Sequence, residues 1–260
     1  MEKIQHKFVN VGELKLHVAE IGSGPDVLLL HGFPEIWYSW RHQMIALADA
    51  GFHAIAPDFR GFGLSDQPSQ IENASFVDLV EDLANLVDAL GIQKEPGKGL
   101  ADFGRFDVKA VVRNTYTLFS GSELPVAEEG KEIMDLYDPA TPLPSWFTED
   151  DLKTYSSLYE KSGFAYPLQL TYVGISRNWG KLEEITDYTI KSPSFVIMGT
   201  KDYILKFPGM EYYINSEMLK SDVPNLEVQF LSEGSHFVQE QFPQEVNKLL
   251  IGFLNQQLQC

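Results

Sequence analysis

Val27-Leu28-Leu29-Leu30-His31-Gly32-Phe33-Pro34-Glu35 decides the fold. Four aliphatic residues in a row read as a strand buried on both faces, and the His-Gly-Phe-Pro after them is turn material at its carboxyl end. Working outward, His53 to Ala56 forms a second short apolar stretch that Pro57 stops, and Trp40 to Ala50 between them carries a helical pattern closed by Gly51. Strand, helix, strand is the unit of a parallel sheet. Upstream, residues 1 to 20 alternate, with Leu14, Leu16 and Val18 on one face and Lys15 and His17 on the other, and Asn10-Val11-Gly12-Glu13 is a turn candidate. An N-terminal hairpin therefore precedes the parallel unit.

Downstream, Ser75 and Asp78 form a capping-box pair. They open a helix in which Phe76, Leu79, Val80, Leu83, Val87 and Leu90 keep helical spacing up to Gly91. A doubly wound protein should then return with another buried strand. The chain instead reads Ile92-Gln93-Lys94-Glu95-Pro96-Gly97-Lys98-Gly99, which has no β-branched run. From about Asp107 to Trp179 the pattern is helical and aromatic, with Thr148 and Asp151 as a second capping box for a helix carrying Leu152, Tyr155 and Tyr159 and closed by Gly163. Strands resume at Phe195 to Met198 and Val228 to Leu231, and Val246, Leu249, Leu250, Phe253 and Leu254 line a C-terminal amphipathic helix. The fold class is α/β, with a helical insert: residues 1–94 and 186–260 as the two parts of the core, residues 95–185 as the insert.

Composition narrows the partners. Twenty Lys and Arg against thirty-seven Asp and Glu give a formal charge of −17, which repels nucleic-acid phosphates and anionic membranes. The only cysteine is Cys260, so an internal disulfide framework, a CxxC redox pair and a cysteine zinc site are excluded. No apolar signal core stands among the first residues and no run is long enough to cross a bilayer, so the expected location is the cytoplasm.

Chemistry concentrates on loops at strand ends, where open α/β sheets place ligand-facing groups. His31-Gly32-Phe33-Pro34 is either an oxyanion turn, with the Phe33 N–H as donor and a cis bond before Pro34, or an ordinary strand-end turn. Asp58-Phe59-Arg60-Gly61-Phe62-Gly63-Leu64-Ser65-Asp66 reads as structural bracing in which an Asp and an Arg pair locally. Gly199-Thr200-Lys201-Asp202 and Gly234-Ser235-His236-Phe237 close two strands and offer one carboxylate and one imidazole, the pair in which an Asp orients a His and stabilises its protonated form.

Together these stretches resemble the plant-type soluble epoxide hydrolases of the α/β-hydrolase fold. The matching text is HGFPE at His31 to Glu35, DFRGFGLSD at Asp58 to Asp66, PLPSWFTEDDLKTYSSLYEKSGF at Pro142 to Phe164, GTKDYILKFPG at Gly199 to Gly209, and EGSHFVQEQFP at Glu233 to Pro243. The resemblance implies an Asp nucleophile that opens an epoxide to an alkyl-enzyme ester, a His–Asp pair that activates water against that ester, and lid tyrosines that hydrogen-bond the epoxide oxygen. Asp202 and His236 match the acid and base, Tyr172 the second lid tyrosine, and Phe33 one oxyanion donor. The implied substrate is a small apolar epoxide, no cofactor or metal is called for, and a homodimer is left open.

The departure from the family pattern begins after Gly91. No Gly-x-Ser-x-Gly, Gly-x-Cys-x-Gly or Gly-x-Asp-x-Gly elbow occurs in the chain, and the family's text breaks after Lys94. Two strand–helix units, with the nucleophile, the second oxyanion donor and the first lid tyrosine, would fill that break. Asp102, in Ala101-Asp102-Phe103-Gly104, imitates an elbow, but Glu95-Pro96-Gly97-Lys98-Gly99 supplies no buried strand before it. Three readings are open: an epoxide hydrolase family chain impaired by an internal deletion, a ligand-binding relative without turnover, and a relative with other chemistry such as dehalogenation. The lost strands would expose ladder edges and apolar faces whose combined cost is able to exceed the ~5–15 kcal/mol by which a domain is stable.

Overall fold

The computed structural model describes residues 3–69, 75–90, 107–125, 127, 131, 133–168, 170 and 189–259. Tyr172, Asp102, the Glu95–Gly99 stretch and Cys260 lie outside the described residues. Contacts divide the chain into two units, one of residues 1–112 with 149–184 and one of residues 113–148 with 185–260.

The first unit holds a four-stranded sheet in the order β1-β2-β4-β3, formed by β1 (Gln5–Val11), β2 (Leu14–Gly22), β3 (Asp26–Leu28) and β4 (His53–Pro57). Val11 faces Leu14 across a two-residue turn, Gly12-Glu13, which is shorter than the four-residue turn expected from the sequence. β4 joins β2 antiparallel and β3 parallel. Helix α1 (Arg41–Asp49) connects β3 to β4 and packs on β2 and β4, completing the strand–helix–strand unit. β3 begins one residue earlier and ends two residues sooner than the Val27 to Leu30 run. One further ladder bond, Leu29 N–H to Ile55 O at 2.8 Å, carries the pairing on before the chain turns.

Helix α2 (Phe76–Leu90) keeps the predicted pattern, with Leu79, Leu83, Leu86 and Val87 buried. Leu86 closes a core cluster with Val11, Leu16, Val18 and Ile55, so the alternating apolar face of the hairpin is the one the helix covers. Alternation predicts a polar, open face on the other side of β2. His17 on that face is fully buried, as is Ala19, because the 58–66 turn and the 3₁₀ segment Trp37–Trp40 close over it. Helix α4 (Glu149–Tyr159) buries Leu152, Tyr155 and Tyr159, starts directly after Thr148, and is succeeded by Gly163 at φ 56°. Tyr159 donates its hydroxyl to the Glu35 carbonyl at 2.8 Å, and α5 (Ala165–Leu168) comes next in the chain.

In the second unit β5 (Ser194–Gly199) and β6 (Leu226–Leu231) pair in parallel, six residues to six, with Phe195 against Phe253 of the C-terminal helix. The helices here are α6 (Met210–Ile214), α7 (Glu217–Asp222), α8 (Val238–Gln241) and α9 (Pro243–Gln257). Tyr116, from α3 (Val108–Leu118), stacks between Phe147 at 4.1 Å and Phe237 at 4.3 Å. Among the described residues the strands form these two sheets, and no helix is long and apolar enough to cross a membrane.

Candidate active site

The parallel pairing of β5 and β6 brings their carboxyl ends side by side, with Gly199 paired to Leu231 at the last register position. The loops beyond are locked together by backbone. Lys201 N–H donates to Gly234 O at 2.8 Å, Thr200 N–H donates to Leu231 O at 2.9 Å, and Glu233 N–H reaches Thr200 Oγ1 at 3.1 Å. So close an approach requires glycine on both sides. A Cβ on Gly199 would stand 2.1 Å from Gly234 O, and one on Gly234 would stand 2.8 Å from the Gly199 Cα.

Asp202 and His236 leave these loops three and two residues beyond the two glycines. His236 Nδ1 lies 3.1 Å from both carboxylate oxygens of Asp202. Asp202 is buried and also caps the short turn after it, accepting Ile204 N–H at 3.0 Å, so its orientation is fixed from the backbone. A carboxylate only accepts, so the proton shared with it sits on Nδ1 and Nε2 carries the lone pair of a neutral His236. The imidazole is partly open, with 28% of its side chain exposed, and packs against Tyr203 at 4.9 Å and Phe237 at 5.3 Å. Such an arrangement is chemically able to take a proton from a water or a hydroxyl at Nε2, with the Asp202 charge to balance the imidazolium that would form.

Further groups hold the His236 loop that the sequence did not single out. Gln241 Oε1 accepts both the Ser235 N–H at 2.7 Å and the Ser235 hydroxyl at 2.8 Å, and the Tyr116 hydroxyl donates to buried Glu240 at 2.7 Å. Both clamps come from the polar run Gln239-Glu240-Gln241, which by pattern alone reads as a solvated face, so the sequence carried no signal that singles them out.

Phe33 lies on the loop after β3 and is joined to Pro34 by a cis bond, with its ring edge-on to Phe164 at 5.9 Å. Behind it His31 is fully committed: Nδ1–H donates to Gly32 O at 2.8 Å and Nε2 accepts Phe59 N–H at 3.1 Å. Burial lowers the His31 pKa more than Asp58 raises it, which keeps the ring neutral. The local Asp–Arg pairing expected within the 58–66 turn does not form. Arg60 reaches out of the turn to α2, where Nε and Nη2 donate to Asp82 and Nη1 lies 3.5 Å from Asp78, because the carboxylate of Asp58 is already filled by His17 and by the N–H groups of Trp37 and Leu64. Tyr172 lies outside the described residues. Among the described residues no group of three or more His, Cys, Asp or Glu could hold a metal ion.

Comparison with known proteins agrees with this architecture. A family model described as the alpha/beta hydrolase fold matches residues 25–94. The match ends at Lys94, where the strand pattern breaks. Epoxide hydrolase 1 of Siraitia grosvenorii is 31% identical over 319 aligned positions that take in 98% of this chain and 100% of the relative. The alignment is thus at least 59 positions longer than the chain of 260 (319 against 260), the excess being gaps on this side. The bifunctional epoxide hydrolase 2 of Rattus norvegicus is 28% identical over 98% of this chain and 56% of its own length. The solved structure of a Vigna radiata epoxide hydrolase mutant, M263Q, matches with a TM-score of 0.86, 31% identity and coverage of 98% of this chain and 100% of the other. Strand–helix–strand unit, paired strand-end loops and near-complete alignment to curated relatives agree: the chain belongs to the epoxide hydrolase family, on the α/β-hydrolase fold.

Proposed function

We propose that this chain keeps the water-activating pair of an epoxide hydrolase site and lacks the nucleophile that opens the epoxide. In this reading Asp202 orients His236, His236 removes a proton from water, Tyr172 hydrogen-bonds the epoxide oxygen, and the Phe33 N–H donates to the oxyanion. The substrate class is a small apolar epoxide, and the complete reaction adds water to give a vicinal diol. Residues 1–94 and 186–260 are the two parts of the core, residues 95–185 the remnant of a helical lid, and the cytoplasm the location.

The observation that carries the reading is the 3.1 Å pairing of His236 with Asp202 in a chain of 260 residues that contains no nucleophile elbow. A His–Asp pair in such a site acts on a covalent ester, and without the ester its water has no activated carbon to attack. Removing one member of a unit that works together costs most of the rate. The end of the family match at Lys94 and the gapped positions of the alignment support an internal deletion as the cause.

The test is turnover of a trans-disubstituted aryl epoxide in ¹⁸O-water, with mass analysis of the peptides afterwards. The expected result is little or no diol, and no ¹⁸O in any carboxylate. Robust diol formation that disappears in His236→Gln overturns the impairment, and label in Asp102 would identify that residue as a substitute nucleophile.

A further inference from the structure

A second carboxylate–imidazole system lies entirely within the first unit. The β1–β2 register pairs His6 with Ala19 and Phe8 with His17, which sets His6 and His17 diagonally on one face of the hairpin. Their nitrogens, His6 Nδ1 and His17 Nε2, are 2.9 Å apart, while the ring centroids are 5.1 Å apart and the planes differ by 17°. The nitrogens therefore lie on the line between two nearly coplanar rings. That is the geometry of an N–H···N hydrogen bond, not of a face stack. On its other side His17 Nδ1 is 2.9 Å from Asp58 Oδ2, and both residues are fully buried. Asp58 is held in turn by the backbone N–H groups of Trp37 at 2.9 Å and Leu64 at 3.1 Å. Phe8 meets the His17 ring edge-on at 5.6 Å and Trp37 meets the His6 ring edge-on at 4.8 Å. His6 itself is exposed.

The proton inventory of this chain has one solution with a single proton on each ring. The carboxylate accepts, so His17 carries its proton on Nδ1 and leaves Nε2 bare. His6 must then donate from Nδ1, which leaves its own Nε2 with a lone pair. Burial first, and His17 next, lower the His6 pKa, with Asp58 opposing them, so the ring is neutral at pH 7. The Asp58 charge also acts on His31 and Tyr159.

We propose that Asp58, His17 and His6 form a relay in which Nε2 of His6 is a nucleophile toward small activated acyl donors, aryl acetates in particular. Nε2 attacks the acyl carbon, the bond to the aryl oxide breaks, and the Nδ1 proton of His6 passes to His17 Nε2. The resulting imidazolium faces the Asp58 carboxylate, the charge arrangement that makes a His–Asp pair an effective base. Water then adds to the acyl carbon and the C–N bond breaks. His17 returns its proton to Nδ1, and acetate leaves with the remaining water protons released to solvent. The relay shares no residue with the epoxide site, so it stands or falls independently of that chemistry.

The test treats the full chain with p-nitrophenyl acetate at pH 7, monitors nitrophenolate release, and maps the acetyl group by peptide mass. A long-range ¹H–¹⁵N spectrum of the untreated protein reads the ring tautomers. Acetylation at His6 at least about tenfold faster than on free N-acetylhistidine is expected, from the usual size of a positioned proton acceptor. His6→Gln removes it, and the untreated His6 carries its proton on Nδ1. Acetyl groups on other residues with His6 unmodified, equal labelling of all histidines as an unfolded chain gives, or a His6 proton on Nε2 each overturns the proposal.

Discussion

His31 is committed at both ring nitrogens with a single proton, donating from Nδ1 to a carbonyl and accepting a backbone N–H at Nε2. A second proton would have to sit on Nε2, facing the Phe59 N–H, with the rings of Phe59 at 4.4 Å and Phe62 at 5.0 Å excluding water. Its folded pKa is accordingly lowered by burial, and the pKa values of His6 and His42 are lowered by burial too. Below the unfolded value of about 6.5 the unfolded chain binds protons that the folded chain refuses, so stability falls as pH falls. The window lies above the ordinary carboxylate range, which leaves the acidic residues out of it. Between pH 7.5 and pH 5.5 the urea midpoint is expected to drop. His31 contributes up to about 1.4 kcal/mol per pH unit, and His6 and His42, which solvent screens, contribute less. The drop should be smaller in His31→Gln. A midpoint that is flat or rises over this range contradicts the neutral assignment.

Among the elements, α2 is the most completely specified by its own sequence, because its apolar stripe repeats through four turns and meets the stripe of the hairpin. Leu86 is shut off from water in contact with Val11, Leu16, Val18 and Ile55. Leu86→Ala is expected to destabilise by about 2–5 kcal/mol in denaturant unfolding, while Asn85→Ala on the exposed side changes stability within about 0.5 kcal/mol. Equal effects of the two substitutions would mean that α2 does not cover the sheet. The opposite face of β2 departs from its alternation for a physical reason. Alternation tells which residues share a face, but His17 is buried by a turn more than forty positions further along, which contributes Asp58 and Ser65 to it. The same limit applies to Arg60, whose partner Asp82 sits on α2 and not in its own turn.

For the whole molecule, the decisive feature is the stretch after Lys94. If an internal deletion removed the strand–helix units of the nucleophile, restoring them should restore both folding cooperativity and chemistry. Inserting, between Lys94 and Glu95, the stretch of the Siraitia grosvenorii relative that has no counterpart in this chain is expected to sharpen the calorimetric transition and to produce diol that depends on His236. A chain that already melts in one sharp two-state transition before grafting, with calorimetric and van't Hoff enthalpies equal, would remove the stability argument. The sequence by itself determined the α/β class, the hairpin, α2, the exclusion of an internal disulfide and of a CxxC pair, and which two loops carry an acid and an imidazole, because each of these is set by period, composition or a turn signal within a few residues. Only the tertiary structure decided that Gly199 and Gly234 touch, that Asp202 therefore meets His236 at 3.1 Å, and that Asp58, His17 and His6 line up through shared hydrogen bonds. Those are contacts between residues distant in the chain, and they depend on close backbone approach and burial, neither of which a local pattern encodes.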